Sequence, residues 1–372
     1  MRRTFIAGGA VVILLLCTGC VVHHPRPSIS EIGTAKHHVN SGMMLLEKGK
    51  IPDAMWQFDR AIDLDPSMAK AYVGRAMAYL VNNDLKRCKA NLKVARFVAQ
   101  GDEDWINVYI GYMRFYPAQK QTGWLEATRK EFEKALEIDP TYKATYFYMG
   151  MAYKEAFDFK YAERMFERVL EINDPFLIRA DHQWKLVRKI LTAQPRSHIA
   201  KTIALQPQMT RAQFASLLMK ELELETLVHD RSVQRGKHGG SSIGNVPDIQ
   251  KHVPKADIEA VLRLNLEGIS LKPDNLFHPN ELVTRGDLAA VVEGLMNKTG
   301  KDIYRRELKA TTSPFRDVET THPRFRAILY CVTWGFMDVN NISTEEFAPD
   351  LPVTGSDTLL ALRKVRDHLK YR

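Results

Sequence analysis

The sequence predicts an all-α protein made of two successive helical repeat arrays, a helix-pair array of shorter period and a longer-period one, and two observations carry that prediction. From residue 35 small and aromatic residues recur at a period of 34, so that Gly42, Ala54 and Ala61 are echoed at Ala76, Cys88 and Ala95. A fixed period of that length is the mark of stacked helix pairs. From residue 246 a second pattern recurs at nearly 70: Asp248 and Asp317 are 69 residues apart, and Thr284 and Thr354 are 70 apart. Ahead of both arrays stand a charged and apolar leader and a proline-bearing linker.

The leader comes first. Arg2 and Arg3 precede an uncharged apolar run from Phe5 to Leu16, closed by Cys17-Thr18-Gly19-Cys20. A short basic region, an apolar region and small residues before a cysteine form an export signal, expected over residues 1–19. The run is too short to span a bilayer as a permanent helix. Its end looks like a bacterial lipobox, with Cys17 where that pattern usually has Leu. The likeness implies cleavage after Gly19 and attachment of fatty chains such as palmitate to Cys20, which would tie the chain to a membrane. Several acyl chains anchor durably, because each buried methylene adds about 0.8 kcal/mol. Val21 stands where an Asp would signal inner-membrane retention, which favours the periplasmic face of the outer membrane over the inner membrane or the cell surface. Residues 20–34 contain Pro25, Pro27 and Gly33 and read as an extended linker.

Composition fits a globular body on that tether. The chain has 372 residues, 26% charged and 45% hydrophobic, enough for two or three domains with real cores. The formal charge of +9 suits anionic wall polymer or lipid headgroups. Nucleic acid is not an expected partner, since no binding motif accompanies the export signal. Once Cys17 and Cys20 are assigned, Cys88 and Cys331 remain on apolar helix faces of different predicted domains, and two buried thiols are expected. The pairs His23-His24 and His37-His38 are adjacent rather than one helical turn apart, so no metal or cofactor site is expected.

The first array is expected over residues 35–193. Its first repeat carries Gly42, Ala54, Phe58, Ala61 and Pro66, its second Tyr72, Ala76, Tyr79, Cys88, Leu92 and Ala95, and its fourth Tyr146, Gly150, Tyr153, Ala162 and Phe166. The third is irregular: its second helix ends in Phe132–Pro140, while its first helix, near Trp105 to Tyr116, is displaced by an insertion around Pro117 to Trp124. Residues 177–193 continue the helical period as a cap. These repeats resemble tetratricopeptide repeats, each a pair of antiparallel helices. The resemblance implies a solenoid that holds another protein, here an unidentified envelope protein. Helix phase puts Asn40, Arg75, Asn107 and Tyr148 forward as groove residues.

The second array is expected over residues 196–372 as three copies, at about 196–232, 246–298 and 313–370. The fullest wording is Val246-Pro247-Asp248-Ile249, Gly268-Ile269, Phe277-His278-Pro279 and Val283-Thr284-Arg285-Gly286-Asp287. It returns as Phe315-Arg316-Asp317-Val318, Gly335-Phe336, Phe347-Ala348-Pro349 and Val353-Thr354-Gly355-Ser356-Asp357, and in part as Met209-Thr210-Arg211-Ala212-Gln213-Phe214-Ala215. Thr210, Thr284 and Thr354 each precede an apolar-periodic stretch and read as N-caps. An Arg in the first turn works against the helix dipole, which suggests a use beyond the helix. An anion there would meet a guanidinium fork and free backbone N–H groups.

This pattern resembles the S-layer homology domain. The likeness implies a pseudo-threefold helical assembly whose grooves bind cell-wall polysaccharide or a peptidoglycan-linked polymer. It implies that Arg211 and Arg285, with Thr210 and Thr284, face the anionic sugar. Gly355 replaces the arginine in the last copy, so that copy's groove is expected to be degenerate.

Other motifs fail on inspection. Arg235–Ser242 is basic and glycine-rich but lacks phosphate-loop spacing, and reads as a link between copies. Asp338-Val339-Asn340-Asn341 has no distal Glu at calcium-loop spacing. Glu221, Glu223 and Glu225 alternate along a helix end rather than pairing inward. No catalytic constellation is present, so the expected function is non-enzymatic: an envelope lipoprotein that tethers membrane to wall polymer and recruits a protein partner. The alternative is a scaffold or assembly factor for outer-membrane or secreted proteins whose second array no longer binds glycan.

Overall fold

A computed structural model describes residues 33–171, 176–222, 224, 245–298 and 312–370. The signal, Cys20, the linker up to residue 32, and the glycine-rich link at 235–242 lie outside the described residues. Among the described residues the chain is helical, and its only β pairing is three isolated bridges. It divides into two compact units, Met1–Asp104 and Trp105–Arg372.

The first unit holds two helix pairs: α1 (Ala35–Glu47) on α2 (Ile51–Leu64), and α3 (Ala69–Val81) on α4 (Leu85–Val98). The Thr34 hydroxyl caps α1 by accepting from His37 N, and the Asp84 carboxylate caps α4 by accepting from Arg87 N. The 34-residue echo is a packing echo, since Ala54, Ala61, Ala76, Cys88 and Ala95 are all fully buried. Glycine matters at two points here. A Cβ on Gly42 would lie 2.6 Å from the Phe58 ring and one on Gly74 2.2 Å from it, so both helices close on that ring only because they carry no side chain there.

The second unit begins in the first turn of α5 (Asp102–Gln119) and continues through α6 (Trp124–Ile138), α7 (Lys143–Glu155), α8 (Phe159–Leu170) and α9 (Leu177–Ala193). Pro117 falls inside the last turn of α5, so the expected insertion loop shrinks to residues 120–123. Successive helices from α6 to α9 pack side by side, and Gly150 admits the Phe166 ring as Gly42 admits Phe58. There follow α10 (His198–Ala204), α11 (Arg211–Leu222), α12 (Lys255–Arg263), α13 (Arg285–Lys298), α14 (Phe325–Thr333) and α15 (Gly355–Lys370). One apolar core runs through this unit from Ile106 to Val365.

The packing does not part at residues 193–196, where the sequence places a boundary. The compact units part at the irregular third repeat, and α9 packs both on α8 and on α15. Stepping back by 70 from α14 reaches α12, and another 70 from Lys255–Arg263 reaches residues 185–193. By that spacing the second half of α9 stands where the later copies have α12 and α14.

The three copies close on one another through backbone. Val283 N donates to Met209 O and Val353 N to Val283 O, each at 2.9 Å, and all three residues are buried. The first two copies open their long helices with a reciprocal capping box, and the third keeps the half that returns to the threonine hydroxyl. Thr210 N donates to Gln213 Oε1 and Thr284 N to Asp287 Oδ2, while Gln213, Asp287 and Asp357 each return a backbone N–H to the capping hydroxyl. Asp248 and Asp317 play matching parts, accepting from the backbone of Phe277–His278 and Phe347–Ala348. Gly355 is required by ring closure. A Cβ there would lie 1.7 Å from Ile203 O, and Gly355 N donates to Gln206 O at 3.1 Å.

Candidate functional site

The arginines read as glycan ligands are buried and hold the loops of the next copy. Arg211 is 2% exposed and spends all three guanidinium nitrogens on backbone carbonyls: Nε on Phe277 O at 2.8 Å, Nη1 on Gly268 O at 3.2 Å and Nη2 on Ser270 O at 2.6 Å. Arg285, 8% exposed, repeats this with Nε on Phe347 O at 2.7 Å and Nη2 on Asp338 O at 2.6 Å. Each lies over the phenylalanine whose carbonyl it binds, at 4.8 Å for Phe277 and 4.6 Å for Phe347. Burial lowers both arginine pKa values, and neighbouring carboxylates work against that shift. The arginine of one copy thus pins the Phe-x-Pro loop of the next.

The free N–H groups expected at these helix starts are also taken. Arg211 N and Ala212 N donate to Glu281 O and Pro279 O, and Arg285 N and Gly286 N to Leu351 O and Pro349 O. The Thr210 and Thr284 hydroxyls are committed to the capping boxes. The anion site predicted from the dipole is therefore filled by carbonyls, because the copies are close enough for backbone to meet backbone.

A cationic groove lies beside Arg285 instead. It is a cavity of about 230 Å³ between the loop Phe336–Asn340, the face of α15 bearing Asp357, Leu360 and Lys364, and Lys189 from α9. Lys189 Nζ stands 2.5 Å from Asp357 Oδ1, and Lys364 Nζ stands 4.0 Å from the exposed Asp338 carboxylate. Arg285 Nη1 has no protein acceptor among the described residues, and its side chain lines the same wall. Three cations thus face two carboxylates, one pair only loosely engaged. A cavity of about 420 Å³ occupies the equivalent place one copy earlier, between α13 and the start of α14, with Lys298, Arg324 and Arg326 against Glu267 and Glu293. There Arg324 pairs with Asp287 at 2.6 Å, as Lys189 does with Asp357. At the third position Ser216 Oγ is bonded to Asp257 at 2.7 Å, and Glu221 is held by Arg366 and the Arg196–Ser197 backbone.

Sequence reading missed Lys189, Lys364 and Arg324. Lys189 precedes the region that carries the recognised wording, and only the backward step of the 70-residue period would have found it.

The expected solenoid residues separate. Asn40 and Arg75 belong to the first unit, Asn107 and Tyr148 to the second. Asn40 is exposed. Arg75 is corrected: it bonds Asn91 Oδ1 and Asp59 Oδ1, both at 2.7 Å, so it clamps α3 to α4 and α2 rather than facing a partner. Asn107 and Tyr148 are half-buried on α5 and α7. Cys88 and Cys331 are both buried, as the sequence indicates, and burial pushes the Cys331 thiol up. Among the described residues no helix is long and apolar enough to cross a membrane.

Comparison with known proteins adds two kinds of likeness. No curated protein matches the chain. Among solved structures, a thermophilic TPR protein of Thermus thermophilus is similar at 19% identity and TM-score 0.36, over 54% of this chain and 99% of that one. YrrB, a TPR protein with an unusual peptide-binding site, is similar at 18% identity and TM-score 0.27, over 55% of this chain and 95% of that one. The S-layer homology domain family matches residues 247–289, the copy with the most complete wording. The chain thus joins successive packed helix pairs to a segment, residues 247–289, that matches the S-layer homology domain.

Proposed function

We propose that this protein is a non-enzymatic cell-envelope lipoprotein that binds an anionic wall polymer in the groove between α9, α15 and the Phe336–Asn340 loop. The observation that carries the reading is the excess of cations in that groove, Lys189, Lys364 and Arg285, in a unit whose residues 247–289 match the S-layer homology domain. The groove is open enough for a sugar unit, and its Lys364–Asp338 contact is weak enough to yield to a ligand carboxylate or phosphate. Acylated Cys20 would confine the protein to the periplasmic face of the outer membrane. Confinement raises the effective concentration of wall polymer, so a weak groove suffices. The helix pairs would hold an envelope protein, the work such arrays suit.

The test is co-sedimentation of the full chain with wall sacculi. Retention should fall by roughly tenfold in Lys189→Gln/Lys364→Gln, the cost of about 1.4 kcal/mol of lost ionic contact, and should persist in Lys189→Arg/Lys364→Arg. No soluble wall fragments should appear, because the reading requires no bond to break. The engaged state of Arg211 favours a second reading, a scaffold without glycan affinity. Wild-type chain that never sediments with sacculi selects that one.

A further inference from the structure

We infer that Asp338 is an internal counter-ion of the groove: its carboxylate holds Lys364 and competes for it with an anionic group of the wall polymer. This rests on the proposed wall-polymer groove and adds the residue that sets how strongly the groove takes an anion. The two carboxylates there are held very differently. Asp357 is committed to the fold: its Oδ2 accepts from the Thr354 hydroxyl at 2.7 Å, its N–H returns to that hydroxyl at 3.0 Å, and its Oδ1 takes Lys189 at 2.5 Å. The Asp338 side chain is 80% exposed, and Lys364 at 4.0 Å is its one ion-pair partner among the described residues.

Among the described residues the fold engages Asp338 by hydrogen bonds only through its backbone. Arg285 Nη2 donates to the Asp338 carbonyl at 2.6 Å. The loop is pinned on both sides of it, by Met337 N on Cys331 O at 3.1 Å and by Asn340 N on Glu346 O at 2.8 Å. One copy earlier the matching bond, from Arg211 Nη2 at 2.6 Å, goes to the carbonyl of Ser270. A neutral side chain therefore serves the repeat at that place, and the charge of Asp338 is left to act on the groove. With the backbone pinned, rotation of the side chain alone frees Lys364. An exposed pair at that spacing is weak enough to yield, yet a like charge so close to Lys364 opposes any anion approaching the same ammonium. Removing the charge should thus strengthen binding, the opposite of what losing a sugar contact does.

The experiment titrates solubilised wall polymer into the full chain and its variants. Asp338→Ser, which installs the residue type of the preceding copy, and the isosteric Asp338→Asn should each bind about threefold more tightly than wild type, and added salt should erode the gain. Combined with Lys364→Gln, the same substitutions should gain far less, because the ammonium that Asp338 guards is gone. Polymer whose carboxyl and phosphate groups are neutralised should show no gain, and thermal melting confirms that each variant folds. Unchanged or weaker binding by both Asp338 variants, or a gain that persists in full beside Lys364→Gln, overturns the inference. If wild-type binding still falls in Lys189→Gln/Lys364→Gln, the groove itself survives that result. Failure of wild type and variants alike to bind the polymer sinks both.

Discussion

Replacing Arg211 with Met is the perturbation whose outcome the structure fixes most tightly. Met keeps an apolar stem beside Phe277 but deletes donors to three carbonyls, Phe277 O, Gly268 O and Ser270 O, two of them bonded at 2.8 Å or less. A charged hydrogen bond contributes about 1.5–3 kcal/mol, and a buried acceptor left unpaired costs about 1–3 kcal/mol. These terms overlap rather than add, which puts the loss near 4 kcal/mol. In a unit of more than 200 residues that corresponds to a melting point lower by about 8 °C. Arg285→Met removes two such bonds and should lower it by about 5 °C. The assay is thermal unfolding followed by circular dichroism at the helical band. Variants that melt like wild type yet lose wall retention would show that the arginines are ligands, and the structural role assigned to them would fall.

Other outcomes follow from the same packing. Gly355→Ala should cost about 3 kcal/mol or more, since its Cβ meets the Ile203 carbonyl at 1.7 Å, whereas Gly286→Ala, with its nearest neighbours at 3.1 Å, should cost far less; equal melting points for the two would refute the ring closure. Burial lowers the pKa of Lys154, so its charged form penalises the folded state below the folded pKa, and the penalty vanishes as pH rises to the ordinary lysine value. The melting point of wild type should accordingly gain on that of Lys154→Met as pH is raised through the alkaline range; a constant difference contradicts the burial. A chain beginning at residue 21 should show no reactive thiol when native, and two after unfolding, from Cys88 and Cys331; reaction of the native chain at either buried position contradicts their packing.

Much of the fold was legible because periodicity reports packing directly. Gly42, Ala76 and Gly150 had to be small, and the helix starts at Thr210 and Thr284 are where capping chemistry puts them. The candidate site was less legible. An arginine after a capping threonine looks like an anion site when the helix is considered alone, since the dipole and open N–H groups invite one. In the assembled ring the next copy presents Glu281, Pro279, Leu351 and Pro349 carbonyls to those groups, a neighbour that lies about 70 residues away in sequence. Arg75 failed for a similar reason: helix phase gives a direction, but Asp59 and Asn91 on adjoining helices decide what the side chain meets. Lys189 was hidden because α9 packs both on α8 and on α15. Neither periodicity marks a helix shared between them.

Titration of solubilised wall polymer into the full chain, before and after its carboxyl and phosphate groups are chemically neutralised, tests the groove most directly. Saturable binding of the native polymer that drops by about tenfold or more on neutralisation, and drops equally for native polymer with Lys189→Gln/Lys364→Gln, is the predicted result. Binding indifferent both to the polymer's charge and to those two lysines would contradict the account.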